Sequence, residues 1–187
     1  MRTTGVILAG GASRRMGGQD KGLILFRGRP MVAWVVEALA PQVDELLIVA
    51  NRNLESYRAF GHLVVSDLRP DFPGPLAGIE AALTALSGDE ILCCPTDAPL
   101  LPPEYAARMS GSSPAVASWG AYWQPVFCRL PRTLLTGLRH SLDAGERSAT
   151  RWLASLSPRV VPLDDLAARM QDADDPEALK ALDRATD

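Results

Sequence analysis

Four short apolar runs in the first half of the chain constrain its fold more than any other feature. They lie at residues 5–8, 45–50, 63–65 and 91–94, and their apolar side chains are continuous rather than alternating with polar ones. A strand of that kind is buried on both faces, as in a parallel sheet that helices cover on each side. The runs therefore predict a mainly parallel sheet.

The segments between these runs have the period of helices. Pro30 begins a helix-like stretch that extends to Leu39. Residues 75–86 place leucine and isoleucine at spacings of three and four, which makes one helix face apolar. Strands that alternate with helices are typical of a doubly wound α/β fold. We therefore expect a Rossmann-like sheet with helices on both faces.

The pattern changes beyond residue 110. Two strands are predicted there, at 115–118 and 126–128, with an aromatic turn over 119–123 between them. Three helices are predicted to follow, at 132–143, 148–156 and 176–183. No repeat, low-complexity tract or long linker divides the sequence. Residues 1–187 are therefore expected to form a single domain.

The charge balance of the chain restricts its partners. Nineteen Lys and Arg residues against 22 Asp and Glu residues give a formal net charge of −3. That does not suit binding to nucleic acid, because such affinity comes largely from neutralised phosphates. No apolar run approaches the roughly 20 residues that span a bilayer, and the first residues lack the pattern of an export signal. The three cysteines form no disulfide or zinc-ligand pattern. We expect a reduced, cytoplasmic protein that binds neither nucleic acid nor membranes.

The segment after the first predicted strand is the most informative part of the chain. Residues 8–21 read LAGGASRRMGGQDK and combine four glycines with the cations Arg14, Arg15 and Lys21. Glycines permit a sharp turn and let backbone N–H groups approach an anion, and open α/β sheets bind ligands beyond the carboxyl ends of their strands. The spacing fits neither a Walker A loop nor a GxGxxG dinucleotide motif. The loop predicts an anion site, the alternative being a solvated turn with incidental arginines.

Asp97 comes directly after the fourth predicted strand, at the same edge of the predicted sheet. A single carboxylate there suits Mg²⁺, which usually takes one or two carboxylates together with phosphate and water oxygens. The residue is equally consistent with a turn in which the aspartate accepts backbone hydrogen bonds. Spacing alone leaves both interpretations open.

These motifs resemble a known family. Residues 8–23 match LAGGxSRRMGGxDKGL, the signature of the molybdenum cofactor guanylyltransferases within the broader nucleotidyltransferases. Four later segments match the family in the same order, at 73–78 (PGPLAG), 94–99 (CPTDAP), 144–147 (AGER) and 174–179 (DDPEAL). The resemblance covers nearly the whole chain and implies a fold like that of the nucleotide-diphospho-sugar transferases.

The resemblance also implies roles for individual residues on the nucleotide side. Arg14, Arg15 and Lys21 would bind the β- and γ-phosphates of GTP and stabilise the departing pyrophosphate, while Asp97 would hold Mg²⁺. The residues expected to contact GTP are Leu8, Ala9, Gly10, Gly11, Lys21, Asn51, Asp67 and Asp97. Guanine offers N1–H and N2–H donors, which the Asp67 carboxylate could select. The alternative for Asp67 is an ordinary surface turn.

An acceptor site is expected farther along the chain. The resemblance puts the segments around Gln124 and Arg147 on the acceptor side, where Arg147 would bind the acceptor phosphate. A flat, aromatic pterin could stack on Trp123 and form a hydrogen bond with Gln124. The alternative is that this aromatic cluster packs in the core or in a hairpin.

The chain departs from the family pattern at two places. Val49 stands where relatives can have a nucleotide-binding Asn, so that either Asn51 or a backbone group replaces it. Asp172 and Asp174 stand where Asn is usual. Asp174 could be a second metal ligand, but its position before Pro176 favours a role at the start of a helix.

The expected function is Mg²⁺-dependent transfer of GMP from GTP to the terminal phosphate of molybdopterin, which gives the guanine dinucleotide cofactor and pyrophosphate. A phosphate monoester is already a nucleophilic anion, so neither a protein nucleophile nor a general base is required. Proteins that deliver or insert the cofactor are expected as further partners. The alternatives are a cytidylyltransferase acting on the same cofactor, a sugar-1-phosphate nucleotidyltransferase, and a non-catalytic carrier of nucleotide or cofactor. The double glycine at 10–11 favours guanine over cytosine.

Overall fold

A seven-stranded sheet lies at the centre of the computed structural model, which describes residues 1–9, 19–69, 74–171, 173, 177 and 178. Within those residues the strands are β1 (Thr3–Leu8), β2 (Leu25–Phe26), β3 (Arg29–Pro30), β4 (Glu45–Val49), β5 (Leu63–Val65), β6 (Glu90–Pro95), β7 (Ala115–Trp119), β8 (Tyr122–Pro131) and β9 (Arg159–Pro162). The α-helices are α1 (Met31–Leu39), α2 (Leu54–Arg58), α3 (Pro75–Ala85), α4 (Tyr105–Arg108), α5 (Leu135–Asp143) and α6 (Ala149–Ser155). Short 3₁₀ turns cover Lys21–Leu23, Ala40–Gln42 and Arg132–Leu134.

The strand order of the large sheet is β5-β4-β1-β6-β8-β7-β9. Strands β5, β4, β1 and β6 are parallel to their neighbours. Strand β8 runs antiparallel to both β6 and β7, and β9 pairs parallel with β7. The first four strands thus form a parallel half of the sheet, and the direction changes where β8 joins it.

The side chains of the central strands point alternately to two separate cores. On one face, Ile7 and Ile48 are fully buried beneath α1 and α2, together with Tyr57. On the other face, Val6 and Val49 pack against α3, α5 and α6. Burial on both faces explains the continuous apolar runs of β1, β4 and β6, whereas the run at 63–65 forms the edge strand β5, in which Leu63 is exposed. The predicted doubly wound, mainly parallel α/β fold is confirmed.

The aromatic turn predicted over residues 119–123 is wrong. Trp119 is the last residue of β7 and Tyr122 is the first of β8, so only Gly120 and Ala121 connect the two strands. Gly120 has a φ of +59°, which a tight hairpin turn requires and glycine adopts readily. The ring of Trp119 packs edge-on against Phe127, with 5.4 Å between the ring centroids. Packing of the aromatic side chains therefore extends the strands instead of ending them.

Several short elements lie outside what periodicity could predict. These are α2, α4 and the strands β2, β3 and β9, of which the longest is five residues. The predicted helix over 132–143 begins as a 3₁₀ turn and becomes α-helical at Leu135. Of the helix predicted over 176–183, only residues 177 and 178 are described, and both are helical. None of the described helices is long and apolar enough to cross a membrane.

The carboxyl ends of the parallel strands meet at one edge of the sheet. The Ala9 amide donates a hydrogen bond to the Val49 carbonyl at 2.8 Å, and the Thr96 amide donates to the Leu8 carbonyl at 3.2 Å. These bonds continue the pairing past the strand ends, so that the segments following β1, β4 and β6 leave the sheet side by side. Leu8 and Ala9 lie at this edge, where the nucleotide was expected.

Candidate active site

Lys21 and Asp97 form an ion pair at this edge. The Lys21 Nζ lies 3.0 Å from the Asp97 Oδ2, although 76 residues separate them along the chain. Both side chains are largely but not fully buried, with 21% and 11% of their surface exposed. A triphosphate at this edge would meet an ammonium group and a carboxylate side by side. The sequence predicted both residues for one site, and the structure brings them together.

Asp97 is held by the backbone on both sides. Strand β6 ends at Pro95, and the Asp97 carbonyl accepts a hydrogen bond of 2.9 Å from the Ala173 amide. The C-terminal segment of the chain therefore returns to the site at residue 173. Asp97 as a whole residue is 8% exposed, so only a small part of it is accessible at the edge.

The donor set near Asp97 suits a cation that takes most of its ligands from elsewhere. Among the described residues, no group of three or more His, Cys, Asp or Glu side chains could hold a metal by itself. A single carboxylate that is completed by phosphate and water oxygens is the usual protein contribution to a Mg²⁺ site. Asp97 fits that role, and the Lys21 ammonium beside it keeps the local charge near neutral.

The turn that carries Lys21 is packed closely against the rest of the site. Lys21 begins a 3₁₀ turn in which the Leu23 amide donates to the Asp20 carbonyl at 3.0 Å. A Cβ atom on Gly22 would lie 2.4 Å from the Thr96 Oγ1 and 2.6 Å from the Tyr57 Oη. Only a glycine allows this approach, so that the turn lies directly against the residue that precedes Asp97.

Asn51 and Asp67 hold each other through two hydrogen bonds. The Asn51 Nδ2 donates to the Asp67 Oδ2 at 2.8 Å, and the Asp67 amide donates to the Asn51 Oδ1 at 2.9 Å. Burial raises the pKa of Asp67, a shift that the hydrogen bond from Asn51 opposes and the nearby Glu80 charge reinforces. The other carboxylate oxygen, Oδ1, lies above Gly78 in the first turns of α3, 3.7 Å from where a Cβ would stand. The two hydrogen bonds with Asn51 thus leave Oδ1 as the Asp67 oxygen that Asn51 does not bind.

Val49 and Asn51, which bear on the departure from the family pattern, have different surroundings. The Val49 side chain is 1% exposed and packs in the core beneath α3, so it offers nothing to a nucleotide. Both polar atoms of the Asn51 amide are engaged with Asp67. Asn51 is thus hydrogen-bonded to Asp67, the other residue expected to contact the nucleotide.

An arginine fastens the segment beyond Asp67 to two helices. Arg69 donates to both carboxylate oxygens of Glu80 in α3, at 2.7 and 3.0 Å, and to Asp143 at the end of α5, at 2.6 Å. Glu80 is 2% exposed, so this is a buried, bidentate ion pair. The sequence analysis missed this ion pair, because the sequence does not show which cation would pair with a Glu on the buried face of a helix.

The residues expected on the acceptor side lie at the same edge. Strand β8 is antiparallel to β6, so its first residues lie beside the carboxyl end of β6. Trp123 is half-buried and packs against the core beneath α3, α5 and α6, while Gln124 is half-buried. Arg147 is exposed, its guanidinium donates to the carbonyls of Leu142 and Glu146, and its own carbonyl lies near Gly74 at the start of α3.

Some of the predicted site residues fall outside the described part of the chain. These are Gly10, Gly11, Arg14, Arg15, Asp172 and Asp174. The predictions for them remain predictions. The described residues next to them are Ala9, Gln19 and Ala173. Ala9 lies at this edge of the sheet, Ala173 contacts Asp97 there, and Gln19 contacts Arg52, which follows β4.

Comparison with known proteins gives a consistent pattern. The family model of the MobA-like NTP transferase domain matches residues 5–160. The molybdenum cofactor guanylyltransferase of Ectopseudomonas mendocina is 41% identical and is matched over 97% of this chain and 92% of its own. A molybdopterin-guanine dinucleotide biosynthesis protein A from Archaeoglobus fulgidus has a similar fold, with a TM-score of 0.77, 20% identity and 98% of each chain covered. A Mycobacterium tuberculosis protein, described in complex with manganese, is also similar in fold, with a TM-score of 0.70, 18% identity and coverage of 97% and 98%.

Proposed function

The chain belongs to the MobA-like NTP transferase family, and we propose that it transfers GMP from GTP to the terminal phosphate of molybdopterin. The observation that carries this proposal is the Lys21–Asp97 pair at the carboxyl edge of a parallel sheet. The relatives that are named molybdenum cofactor guanylyltransferase, 41% identical in one case, support the nucleotide and the acceptor.

Phosphoryl transfer depends mainly on positioning and on electrostatic stabilisation. Lys21 donates to the β- and γ-phosphates and stabilises the charge that develops on the departing pyrophosphate. The acceptor phosphate is itself the nucleophile, so no side chain has to remove a proton. Arg14 and Arg15 are proposed to assist Lys21, and Gly10 and Gly11 to bring backbone amides to the phosphates.

Asp97 is proposed to hold a divalent cation, with Mg²⁺ as the expected ion. When bound, such a cation would supply positive charge beside the phosphates and so lower the negative charge that the attacking phosphate meets. Support comes from the donor set, in which one carboxylate leaves most coordination positions to phosphate and water. The similar protein from Mycobacterium tuberculosis that is described in complex with manganese is consistent with a divalent cation in this fold.

Asp67 is proposed to select guanine. Its carboxylate could accept hydrogen bonds from the N1–H and N2–H groups of the base, a pair of donors that neither adenine nor cytosine presents in that arrangement. Leu8, Ala9 and Asn51 would complete the nucleotide side. Trp123, Gln124 and Arg147 are proposed to face the acceptor, Arg147 by binding its phosphate. We further propose a cytoplasmic enzyme that exchanges its cofactor with delivery and insertion proteins.

Pyrophosphate release tests the reaction directly. With GTP, Mg²⁺ and molybdopterin, we expect release that requires all three components, and we expect Lys21→Ala and Asp97→Asn each to reduce turnover at least 100-fold, since each removes a charge from the reacting phosphates. The matched control is the exposed Arg29–Glu37 ion pair, whose atoms lie 2.8 Å apart. Arg29→Ala and Glu37→Gln should leave turnover unchanged.

Three results would contradict the proposal. Near-normal turnover of Lys21→Ala or Asp97→Asn would remove that residue from the mechanism. Tighter binding of CTP than of GTP in calorimetry would favour the cytidylyltransferase alternative. Binding of GTP without any release of pyrophosphate would favour a carrier.

A further inference from the structure

The segment that carries Lys21 is fastened to the loop and helix that follow β4. The Arg52 Nη2 donates to the Gln19 carbonyl at 3.0 Å, and the Asn53 Nδ2 donates to the Asp20 Oδ2 at 3.0 Å. The Tyr57 Oη donates to the Asp20 Oδ1 at 2.5 Å. Asp20 therefore receives a donor on each carboxylate oxygen, and the Arg52 Nε also lies 3.7 Å from its Oδ2. These partners come from one short stretch of chain.

This contact is buried although it carries a charge. Asp20 is 8% exposed and Tyr57 is 0% exposed. A buried carboxylate costs free energy unless it is fully hydrogen-bonded, and hydrogen bonds to a charged group are among the strong ones in proteins. Burial and the neighbouring Asp20 raise the pKa of Tyr57, so that its hydroxyl stays protonated and remains a donor.

What the buried contact holds in place is Lys21. Asp20 and Lys21 lie in one 3₁₀ turn, in which the Ile24 amide donates to the Lys21 carbonyl at 3.1 Å. Gly22, the next residue, lies against Tyr57 and Thr96. The side chain of Asp20 points inward to Tyr57, and the side chain of Lys21 reaches Asp97. A shift of Asp20 would therefore move the Lys21 ammonium.

We propose that Asp20 and Tyr57 are positioning residues, which set the Lys21 ammonium at the place where it binds the triphosphate. The proposal rests on the proposed function, since it needs Lys21 to bind GTP. Asp20 and Tyr57 are hydrogen-bonded to each other through their side chains. They act through the turn that joins them to Lys21.

A second tyrosine provides a matched control. Tyr105 is also 0% exposed, and its hydroxyl also donates at 2.5 Å, but to the carbonyl of Cys93 within the core. Both Tyr57→Phe and Tyr105→Phe remove one hydroxyl from a buried ring and should lower thermal stability by similar amounts. We expect Tyr57→Phe to raise the dissociation constant of GTP about tenfold, as the loss of a strong hydrogen bond would, and Tyr105→Phe to change it less than twofold.

A variant at the protein surface tests the same contact in case Tyr57→Phe does not fold. Asn53 is exposed and has a φ of +51°, which glycine tolerates. Asn53→Gly removes the second donor to Asp20 without strain in the backbone. We expect a rise of about threefold in the dissociation constant of GTP, because the bond from Tyr57 and the ion pair with Arg52 remain on Asp20.

Combination with Lys21→Ala separates a positioning role from a structural one. If Tyr57 acts through Lys21, Tyr57→Phe added to Lys21→Ala should weaken GTP binding less than twofold further in calorimetry with Mg²⁺. A full tenfold effect in the double variant, or equal effects of Tyr57→Phe and Tyr105→Phe, would overturn the inference while the proposed function stands. Unchanged GTP binding by Lys21→Ala alone would overturn both.

Discussion

Asp67 shows how a single residue can be arranged for binding at the expense of stability. Its carboxylate is half-buried and its pKa is raised by that burial, so the folded state holds the proton more tightly than the unfolded state does. Ionisation therefore costs folding free energy at pH values above the raised pKa, and the cost is absent below the pKa of the unfolded chain. A site that needs the charged form to accept hydrogen bonds from guanine has to bear that cost.

Asp67→Asn follows from this balance. At neutral pH we expect the urea midpoint of the unliganded protein to stay equal or rise, and the difference from wild type to disappear as the pH falls below about 4, near the ordinary Asp pKa. The preference for GTP over ATP should fall about tenfold, because the amide offers the base one acceptor and an unwanted donor.

Asp165 is the control for that experiment, since its pKa is shifted in the opposite direction. The hydrogen bonds from Arg108 lower the pKa of Asp165, and the residue lies outside the candidate site. Asp165→Asn should therefore reduce stability at neutral pH and leave nucleotide preference unchanged. A loss of stability in Asp67→Asn, or an unchanged preference for GTP, would contradict the role given to Asp67.

The role of a residue was predictable from the sequence where it depends on that side chain alone and not on a partner elsewhere in the chain. Lys21 was found from a glycine-rich, cationic loop together with the family motif. Asp97, whose role spacing alone left open, was found through the family resemblance. The contacts of Asp20 with Tyr57, and of Asn51 with Asp67, were not found. Each joins residues that are far apart in sequence, and the choice of partner depends on how α2 and β5 are placed in the fold.

At the scale of elements, the turn over Lys21–Leu23 depends on its closeness to the end of β6. Gly22 is the point of contact, where a Cβ would lie within 2.6 Å of oxygen atoms on two neighbours, Thr96 and Tyr57. The Thr96 oxygen belongs to the backbone-held end of a central strand and has little room to move. The turn itself would have to shift, and Lys21 would shift with it.

Gly22→Ala is therefore expected to damage binding and stability together. Overpacking of this kind costs roughly 1–3 kcal/mol in the free energy of unfolding, which urea titration would measure. The dissociation constant of GTP should rise as well, because the ammonium of Lys21 no longer lies beside Asp97. Gly137 in α5 has open space around its Cβ position, so Gly137→Ala should cause neither effect. Unaltered GTP binding by Gly22→Ala would show that the turn tolerates the shift.

Elements were predictable in proportion to their length and burial. The strands β1, β4 and β6 were evident because each has several consecutive apolar residues that are buried on both faces. The four-residue β9 and the five-residue α2 are too short for a period to appear. The hairpin between β7 and β8 was misplaced because its aromatic residues were interpreted as a turn.

On the scale of the whole molecule, one sheet with a core on each face brings the described nucleotide residues to a common edge. The described nucleotide residues lie at or after the ends of four parallel strands, β1, β4, β5 and β6, of which β1, β4 and β6 are almost entirely buried. Binding at this edge contacts the ends of several strands at once. A ligand that binds only the folded state stabilises the whole fold by mass action.

GTP with Mg²⁺ should therefore raise the melting temperature. At a concentration of 100 times the dissociation constant, the gain is about 2.7 kcal/mol, which for a chain of this size corresponds to roughly 5–10 °C. We expect a clearly smaller shift with CTP at the same concentration, and little shift with GTP in Asp97→Asn. Differential scanning fluorimetry measures all three. Equal shifts with GTP and CTP would argue against selection of guanine by this edge.

The reversal of strand direction between β6 and β8 has a consequence for how such proteins can diversify. Residues that are proposed to handle the nucleotide come before this reversal or at it, ending with Asp97, whereas Trp123, Gln124 and Arg147 come after it. The C-terminal third could therefore accumulate changes, or be exchanged between relatives, while the GTP-handling portion stays intact. Evolution could in this way alter which phosphorylated molecule receives the nucleotide without rebuilding the machinery that activates it.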